Sequence, residues 1–184
     1  MTLLKEEKSK QINVKTLLLL IGIVGIGFNL YYKYDRYYLG EILIAKQITI
    51  YDSPEYIETG KGGTDRYSFS AVEYKCRFWI SHGGLSIVRN DENIKLKIKS
   101  IKKGDVLNLK IRQTDESNLQ NESARPRVIE LSIGQDQVIK AKEVEKRDKK
   151  WYKISFGLPI MAMIIWIIII LSEFLLKSRS RVKG

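Results

Sequence analysis

Five lysines lie close together in the middle of the chain, where they could bind an anion: Lys95, Lys97, Lys99, Lys102 and Lys103. The first three alternate with apolar residues, and a period of two places alternate side chains on one face of a β-strand. We therefore expect a strand with a basic face, which could bind lipid headgroups, nucleotides or nucleic acid. The competing interpretation is a solvated strand edge on which lysine discourages pairing with other chains, and it is the commoner origin of such a pattern.

The net charge and the lack of nucleic-acid-binding motifs limit the classes of partner that this basic face could bind. The formal net charge of +11, from 32 Lys and Arg against 21 Asp and Glu, favours an acidic or anionic partner. Cationic residues that flank membrane helices also contribute to such an excess. No RNP, KH or helix-turn-helix pattern accompanies the lysines, which argues against nucleic acid. We expect a protein or an anionic small molecule as the partner.

Catalytic and metal chemistry finds little support in the sequence. Ser81 and His82 are adjacent, but neighbouring side chains of a strand point to opposite faces and cannot form a nucleophile–base pair. The two glycines that follow them fit a tight turn. One histidine and one cysteine exclude an intramolecular disulfide and a multi-His or Cys-based metal site within the chain. We expect no enzyme activity, cofactor or metal, and Cys76 is expected to be a buried apolar thiol.

Two long apolar runs lie near the ends of the chain, at residues 16–32 and 154–176. The first contains seventeen uncharged residues, which as a helix would span about 25 Å, at the short end of the transmembrane range. It lacks a small-residue cleavage site, so we interpret it as an uncleaved anchor. Aromatic residues at the helix ends are expected to lie at the membrane interface. They are Tyr31, Tyr32, Tyr34, Trp151 and Tyr152.

Gly22, Gly25 and Gly27 lie within the first apolar run, where small residues allow helices to approach closely. Their spacing is not GxxxG, so we expect them to pack against the second apolar helix of the same chain. Oligomerisation through the two helices is the alternative.

The segment between the apolar runs has the pattern of a mainly β domain. Alternating or branched and aromatic runs predict about seven strands, at residues 42–50, 67–81, 85–88, 94–98, 106–111, 128–133 and 137–141. The run at 67–81 is expected to form one long strand or two short ones, and residues 134–136 a hairpin turn. Turn residues at short spacing favour a small barrel or sandwich inserted between the two transmembrane α-helices.

The expected organisation has seven segments. They are a basic tail (1–15), a first transmembrane helix (16–32), a Tyr-rich interfacial linker (33–39), the β domain (40–141), a charged stalk (142–153), a second transmembrane helix (154–176) and a basic tail (177–184).

The basic residues on the two sides of the membrane nearly balance, because the two tails carry four each and seven more precede the second helix on the domain side. These seven are Lys140, Lys142, Lys146, Arg147, Lys149, Lys150 and Lys153. The interhelix segment is longer than the roughly 60 residues over which flanking charge sets orientation, and translocating a tail with four lysines is unfavourable. We therefore expect both termini in the cytoplasm and the β domain outside. The Lys- and Ile-rich composition indicates a bacterial inner or cytoplasmic membrane.

Three functional hypotheses follow, in descending order. The first is a membrane-anchored, non-enzymatic binding or assembly module of a bacterial envelope, with an accessory or immunity-like role within its range. The second is a cytoplasmic ligand-sensing β domain that drives a membrane-disrupting two-helix effector. The third is a membrane-bound hydrolase, for which the sequence offers no defensible catalytic constellation.

Overall fold

The computed structural model describes residues 14–59 and 65–182, without the side chains of 32–36 and 173–182. The basic tail up to residue 13 and the last two residues of the C-terminal tail lie outside this range. The elements in chain order are α1 (Val14–Arg36), β1 (Leu43–Ile57), β2 (Arg66–Ala71), β3 (Arg77–Ile80), α2 (His82–Asn90), α3 (Glu92–Ser100), β4 (Val106–Arg112), a 3₁₀ helix (Gln113–Asn118), β5 (Glu130–Ile133), β6 (Asp136–Ile139) and α4 (Ala141–Val182).

The chain divides into two compact units. The sheet unit is Tyr34–Tyr152, and the apolar unit combines Met1–Lys33 with Lys153–Gly184. Each unit is described below by itself.

The sheet unit contains one six-stranded sheet in the order β3-β2-β1-β4-β5-β6, with every neighbouring pair antiparallel. The predicted strands at 42–50, 106–111, 128–133 and 137–141 correspond to β1, β4, β5 and β6, and the run at 67–81 forms two short strands. The predicted closure into a barrel or sandwich is not found, because the sheet is open. Among the described residues, helical residues outnumber strand residues, so the fold is not clearly mainly β either.

The free edge of β3 is only partly covered. The Trp79 N–H donates to the carbonyl of Pro126 at 3.0 Å, and the Val128 N–H donates to the carbonyl of Trp79 at 2.8 Å. These bonds form one isolated parallel bridge, between Trp79 and Arg127. The Arg77 N–H also donates to the carbonyl of Ala124 at 3.4 Å, so this segment protects much of the edge without closing the sheet.

Strand β1 organises the sheet because it pairs on both sides. Its first half pairs with β4 from Leu43 to Thr49, and its second half pairs with β2 from Ile50 to Ile57. Two register shifts interrupt the β1–β2 ladder, between Ile50 and Asp52 and between Asp52 and Glu55. Pro54, which has no N–H to donate, lies within the second shift, where the ladder needs no donor from it.

Two predicted strands are helices. Residues 85–88 lie in α2 and residues 94–98 in α3, so both predictions are wrong. Ile94 and Ile98 are four residues apart, a spacing that also places two side chains on one face of a helix. Asp91 caps α3, since its carboxylate accepts hydrogen bonds from the backbone N–H groups of Asn93 at 3.0 Å and Ile94 at 3.2 Å. Leu96, which a half-buried strand would bury, is 57% exposed.

The hydrophobic core lies between the sheet and the two short helices. Its fully buried side chains include Ile48, Ile50, Phe69, Phe78, Ile80, Ile98, Leu107, Leu109, Ile111 and Leu131. Cys76 is also fully buried, as predicted, and burial raises the pKa of its thiol to about 11. The predicted hairpin turn is confirmed, because Gly134 has a φ of +59° and Ile133 pairs with Asp136 across it.

A buried carboxylate joins four separate parts of the sheet unit. Asp148, on α4, is 0% exposed and accepts three hydrogen bonds. Its Oδ2 accepts from the backbone N–H of Tyr38 at 2.8 Å and from the Arg127 guanidinium at 2.5 Å, and its Oδ1 accepts from the N–H of Gly83 at 2.9 Å. A Cβ at Gly83 would lie 2.7 Å from Asp148 Oδ1, so only glycine fits there. Arg127 is also buried, and this burial lowers its pKa while Asp148 opposes the shift.

Replacing Asp148 by Asn tests this arrangement. The substitution leaves the buried Arg127 guanidinium without its countercharge, and we expect it to lower the free energy of unfolding by about 3 kcal/mol or more. Urea unfolding of the full chain in neutral detergent, followed by near-UV circular dichroism, measures the change. Glu116→Gln breaks the exposed pair with Lys46 and is the matched control, with only a small expected loss. Equal losses in the two variants would contradict the prediction.

The apolar unit is formed by parts of two helices that are long and apolar enough to cross a membrane, as judged by length and composition. The two helices run antiparallel, since Gly22 approaches Met163 and Gly25 approaches Pro159. A Cβ at Gly25 would lie 2.5 Å from the Pro159 Cγ, so the glycine allows this close approach. The expectation that Gly22 and Gly25 pack against the second helix is confirmed. Gly27 has nothing within 4 Å of its Cβ position.

A polar contact accompanies this packing. Pro159 has no N–H, so the carbonyl of Ser155, four residues earlier, lacks its usual helical donor. The side-chain amide of Asn29 donates to that carbonyl at 3.0 Å and also to the carbonyl of Gly25 at 2.8 Å. Asn29 therefore donates to a carbonyl that the proline itself cannot bind.

The packing of these helices can be tested by cross-linking. In a Cys76→Ser background, cysteines placed at Gly22 and Met163 are expected to form a disulfide under mild oxidation, because these positions are in contact. Adding Gly25→Leu should reduce the cross-linked fraction several-fold, since the larger side chain displaces Pro159. Gly27→Leu has open space and should leave the fraction unchanged. Equal effects of the two leucines, read on a non-reducing gel, would rule out this packing.

Candidate ligand-binding groove

A groove with a volume of about 320 Å³ lies in the sheet unit, where the β1–β2 hairpin meets the two short helices. Its lining combines cations with aromatic side chains: Tyr56, Tyr67, Val88, Arg89, Lys95 and Lys99. The volume is in the range of small-molecule sites.

Two tyrosines form the strand side of the groove. Tyr56 on β1 and Tyr67 on β2 are register partners, and their ring centroids are 5.2 Å apart. Cross-strand aromatic pairs of this kind stabilise a hairpin. Tyr67 is buried, which raises the pKa of its hydroxyl, whereas nearby Lys95 acts to lower it. Tyr56 is 40% exposed and presents its ring and hydroxyl to the groove.

Three cations form the helical side. Arg89 lies in the last turn of α2, and Lys95 and Lys99 are four residues apart on α3, which places them on one face of that helix. Lys95 forms an ion pair with Glu92 at 3.1 Å. Lys99 is exposed and has no ion pair with any residue that the structure describes.

At one end of the groove, Asp65 forms hydrogen bonds with Arg89 and Tyr56. Its Oδ2 accepts hydrogen bonds from the Arg89 guanidinium and from the Tyr56 hydroxyl, the latter at 3.1 Å. Its Oδ1 accepts from the backbone N–H of Thr59 at 2.9 Å. The Thr59 hydrogen bond is the main reason that the pKa of Asp65 is lowered, and the bond from Arg89 adds to it. Asp65 is therefore a carboxylate at neutral pH.

The five lysines singled out in the sequence do not form a single basic face. Lys95 and Lys99 line the groove, but Lys97 is two residues from each, about 200° around the helix, and pairs with Asp136 at 2.7 Å. Lys103 lies over the ring of Tyr51, 4.9 Å from its centroid, and Lys102 uses its backbone N–H to bind Asp105. The prediction of one shared strand face is wrong because the segment is a helix.

Sequence reasoning missed the other groove residues. Tyr56 and Tyr67 are 11 positions apart and meet only through the register of the β1–β2 hairpin, and Arg89 comes from a helix that was predicted to be a strand. The capping position of Asp91 could have revealed α3, since an Asp followed by Glu92 and a run ending in lysines is typical of a helix.

The residues predicted for the membrane interface lie outside the groove, as do Ser81 and His82, which the sequence argued against as a catalytic pair. Tyr31 is 77% exposed and Trp151 56% exposed, while the Tyr152 ring packs 5.6 Å from that of Tyr37. The side chains of Tyr32 and Tyr34 lie outside the described residues. Ser81 is buried at the N-cap of α2, and the predicted tight turn at the following glycines is instead the first turn of this helix. His82 has a φ of +48° and its ring lies 6.2 Å from that of Tyr37.

No protein-family model, curated protein or solved structure matches the chain. What the groove can bind is inferred from its own side chains. Three cations converge on a concave surface that also offers aromatic and aliphatic contact, and Asp65 contacts Arg89 and Tyr56 at one end of it. Such a surface suits a small anion that has an apolar part.

The two lysines of the groove should strengthen anion binding, whereas Lys97 should not. We expect Lys95→Gln and Lys99→Gln together to weaken the binding of pyrophosphate to the full chain in neutral detergent by about tenfold or more, because each removes a charge from the groove. Lys97→Gln also removes one charge from α3 but lies away from the groove, and should change the affinity by less than about twofold. Isothermal titration calorimetry measures the three affinities. A loss per removed charge as large in Lys97→Gln as in the double variant would show that only net charge matters.

Proposed function

We propose that this protein is a membrane-anchored, non-enzymatic binding module that takes an anionic ligand in the groove between the β1–β2 hairpin and the helices α2 and α3. The observation that carries the proposal is the convergence of Arg89, Lys95 and Lys99 beside the tyrosine pair. These cations come from two helices and the tyrosines from two strands, so the site depends on the fold rather than on a local charge run.

Membrane anchoring by α1 and α4 is the second part of the proposal. The 18-residue apolar stretch at Val14–Tyr31 has a mean hydropathy of 1.8 with 6% of its residues buried, and that of the second helix has 2.7 with 11%. A core helix of a soluble protein would be mostly buried, so these exposed apolar surfaces favour lipid as their surroundings. The contact of Asn29 with Ser155 also favours a retained α1 over a cleaved signal sequence, since it gives this helix a partner.

The third part of the proposal is the orientation of the chain in the membrane. Both termini lie in the cytoplasm and the sheet unit lies on the outer side of a bacterial cytoplasmic membrane, where an envelope accessory or immunity-like role would place it. The alternative is a cytoplasmic sensor that acts on the membrane through its two helices. Anion binding in the groove is compatible with both, so the side of the membrane decides between them.

Cysteine labelling determines that side. We expect a Cys76→Ser, Ser123→Cys variant to react with a membrane-impermeant maleimide in intact cells or spheroplasts, because Ser123 is exposed on the sheet unit. The unmodified chain is the control. Cys76 is buried and the pKa of its thiol is raised to about 11, so it should react only after unfolding. Reaction of the introduced thiol only after cell lysis would overturn the outward orientation and favour the cytoplasmic sensor.

A further inference from the structure

Asp65 occupies a place in the groove that resembles the position of a bound anion. One of its carboxylate oxygens receives both the Arg89 guanidinium and the Tyr56 hydroxyl. The Arg89 Nη2 makes both of its hydrogen bonds here, to Asp65 and to the Tyr56 oxygen. Charged and phenolic donors that converge on one oxygen are the contacts that a bound oxyanion would receive.

We infer that Asp65 is an internal substitute for the ligand's anionic group, and that the ligand is a phosphate monoester that displaces it from Arg89. The inference rests on the proposed function, because it names the ligand class of the same groove. Asp65 side-chain exposure is 22% and that of Arg89 is 49%, so the pair is open to exchange with a ligand from solvent.

The charges favour a phosphate monoester over a carboxylate. The groove holds three cations, and Lys95 is paired with Glu92. Once Asp65 leaves, Arg89 and Lys99 remain without a countercharge among the described residues. A phosphate monoester carries a charge of about −1.5 to −2 at neutral pH and matches both cations, whereas a carboxylate matches one.

The apolar residues that line the groove would contact the ester group of the ligand. The partly exposed ring of Tyr56 and the side chain of Val88 lie beside the cations in the same groove. An ester with an aromatic or aliphatic group can therefore bury that group while its phosphate contacts Arg89 and Lys99. A soluble phosphoester and the phosphate of a lipid headgroup share this chemistry.

Removing the internal carboxylate tests the inference. We expect Asp65→Asn to bind phenyl phosphate about threefold to tenfold more tightly than the unmodified chain, because the ligand no longer competes with an aspartate for Arg89. Asparagine keeps the Oδ1 acceptor for the Thr59 N–H, so the base of the hairpin loop is preserved. Asp136→Asn is the matched control, since it also removes one aspartate that is paired with a cation, but outside the groove. Calorimetry on the full chain in neutral detergent gives the affinities, and thermal unfolding confirms that both variants fold.

The outcomes separate the inference from the proposed function. Tighter binding by Asp65→Asn than by Asp136→Asn, together with weaker binding of benzoate than of phenyl phosphate, supports the inference. Equal affinities of the two variants, or tighter binding of benzoate, overturn it while leaving lysine-dependent anion binding intact. Absence of lysine-dependent binding in every variant overturns the proposed function as well. A short-chain phosphatidic acid, compared with phenyl phosphate in the Asp65→Asn variant, identifies a lipid or a soluble ester as the preferred source.

Discussion

The buried carboxylate of Asp148 is the interaction on which the sheet unit depends. It binds the backbone at Tyr38 and Gly83 and the guanidinium of Arg127, so one side chain joins the segment after α1, the start of α2, the segment before β5 and the first part of α4. Taking this ion pair out of water is costly, and the cost is offset only when both partners are present and hydrogen-bonded. A carboxylate satisfied by three donors therefore stabilises one particular arrangement of these segments against alternatives in which it would be left unpaired.

The hydrogen bonds to Asp148 also determine the position of the groove. Gly83 is held against Asp148 at the first turn of α2, and Arg89 projects from the last turn of this nine-residue helix. A short helix is nearly rigid, so fixing its start also fixes its end. The next helix begins after the capping residue Asp91, which sets where Lys95 and Lys99 face. The cations of the groove are thus oriented by contacts that lie outside the groove.

In the apolar unit, a hydrogen bond between the two helices likewise accompanies their packing. A proline inside α4 has no N–H to donate to the carbonyl of Ser155, and the side chain of Asn29 on the other helix donates to this carbonyl. Glycine at position 25 allows the proline ring to approach closely. An unsatisfied carbonyl is most costly in an apolar environment, so Asn29 and Pro159 together favour one pairing of the two helices. In both units, a polar group needs hydrogen-bond donors from another segment. This requirement favours one packed arrangement of the segments over others that apolar packing alone would allow.

The sequence by itself determined the features that depend on local composition. Length and hydropathy identified the two apolar helices, burial of Cys76 followed from its apolar neighbours, and turn residues located the hairpin at Gly134. Only the tertiary structure decided whether the alternation at 94–98 was a strand or a helix, because Ile94 and Ile98 satisfy both periods and the core lies on one side of them. The tertiary structure also determined which residues line the groove and which two residues form the buried ion pair. Tyr56 meets Tyr67 through strand register, and Arg127 meets Asp148 across 21 residues of chain, contacts that no local pattern specifies because they exist only once distant segments have packed.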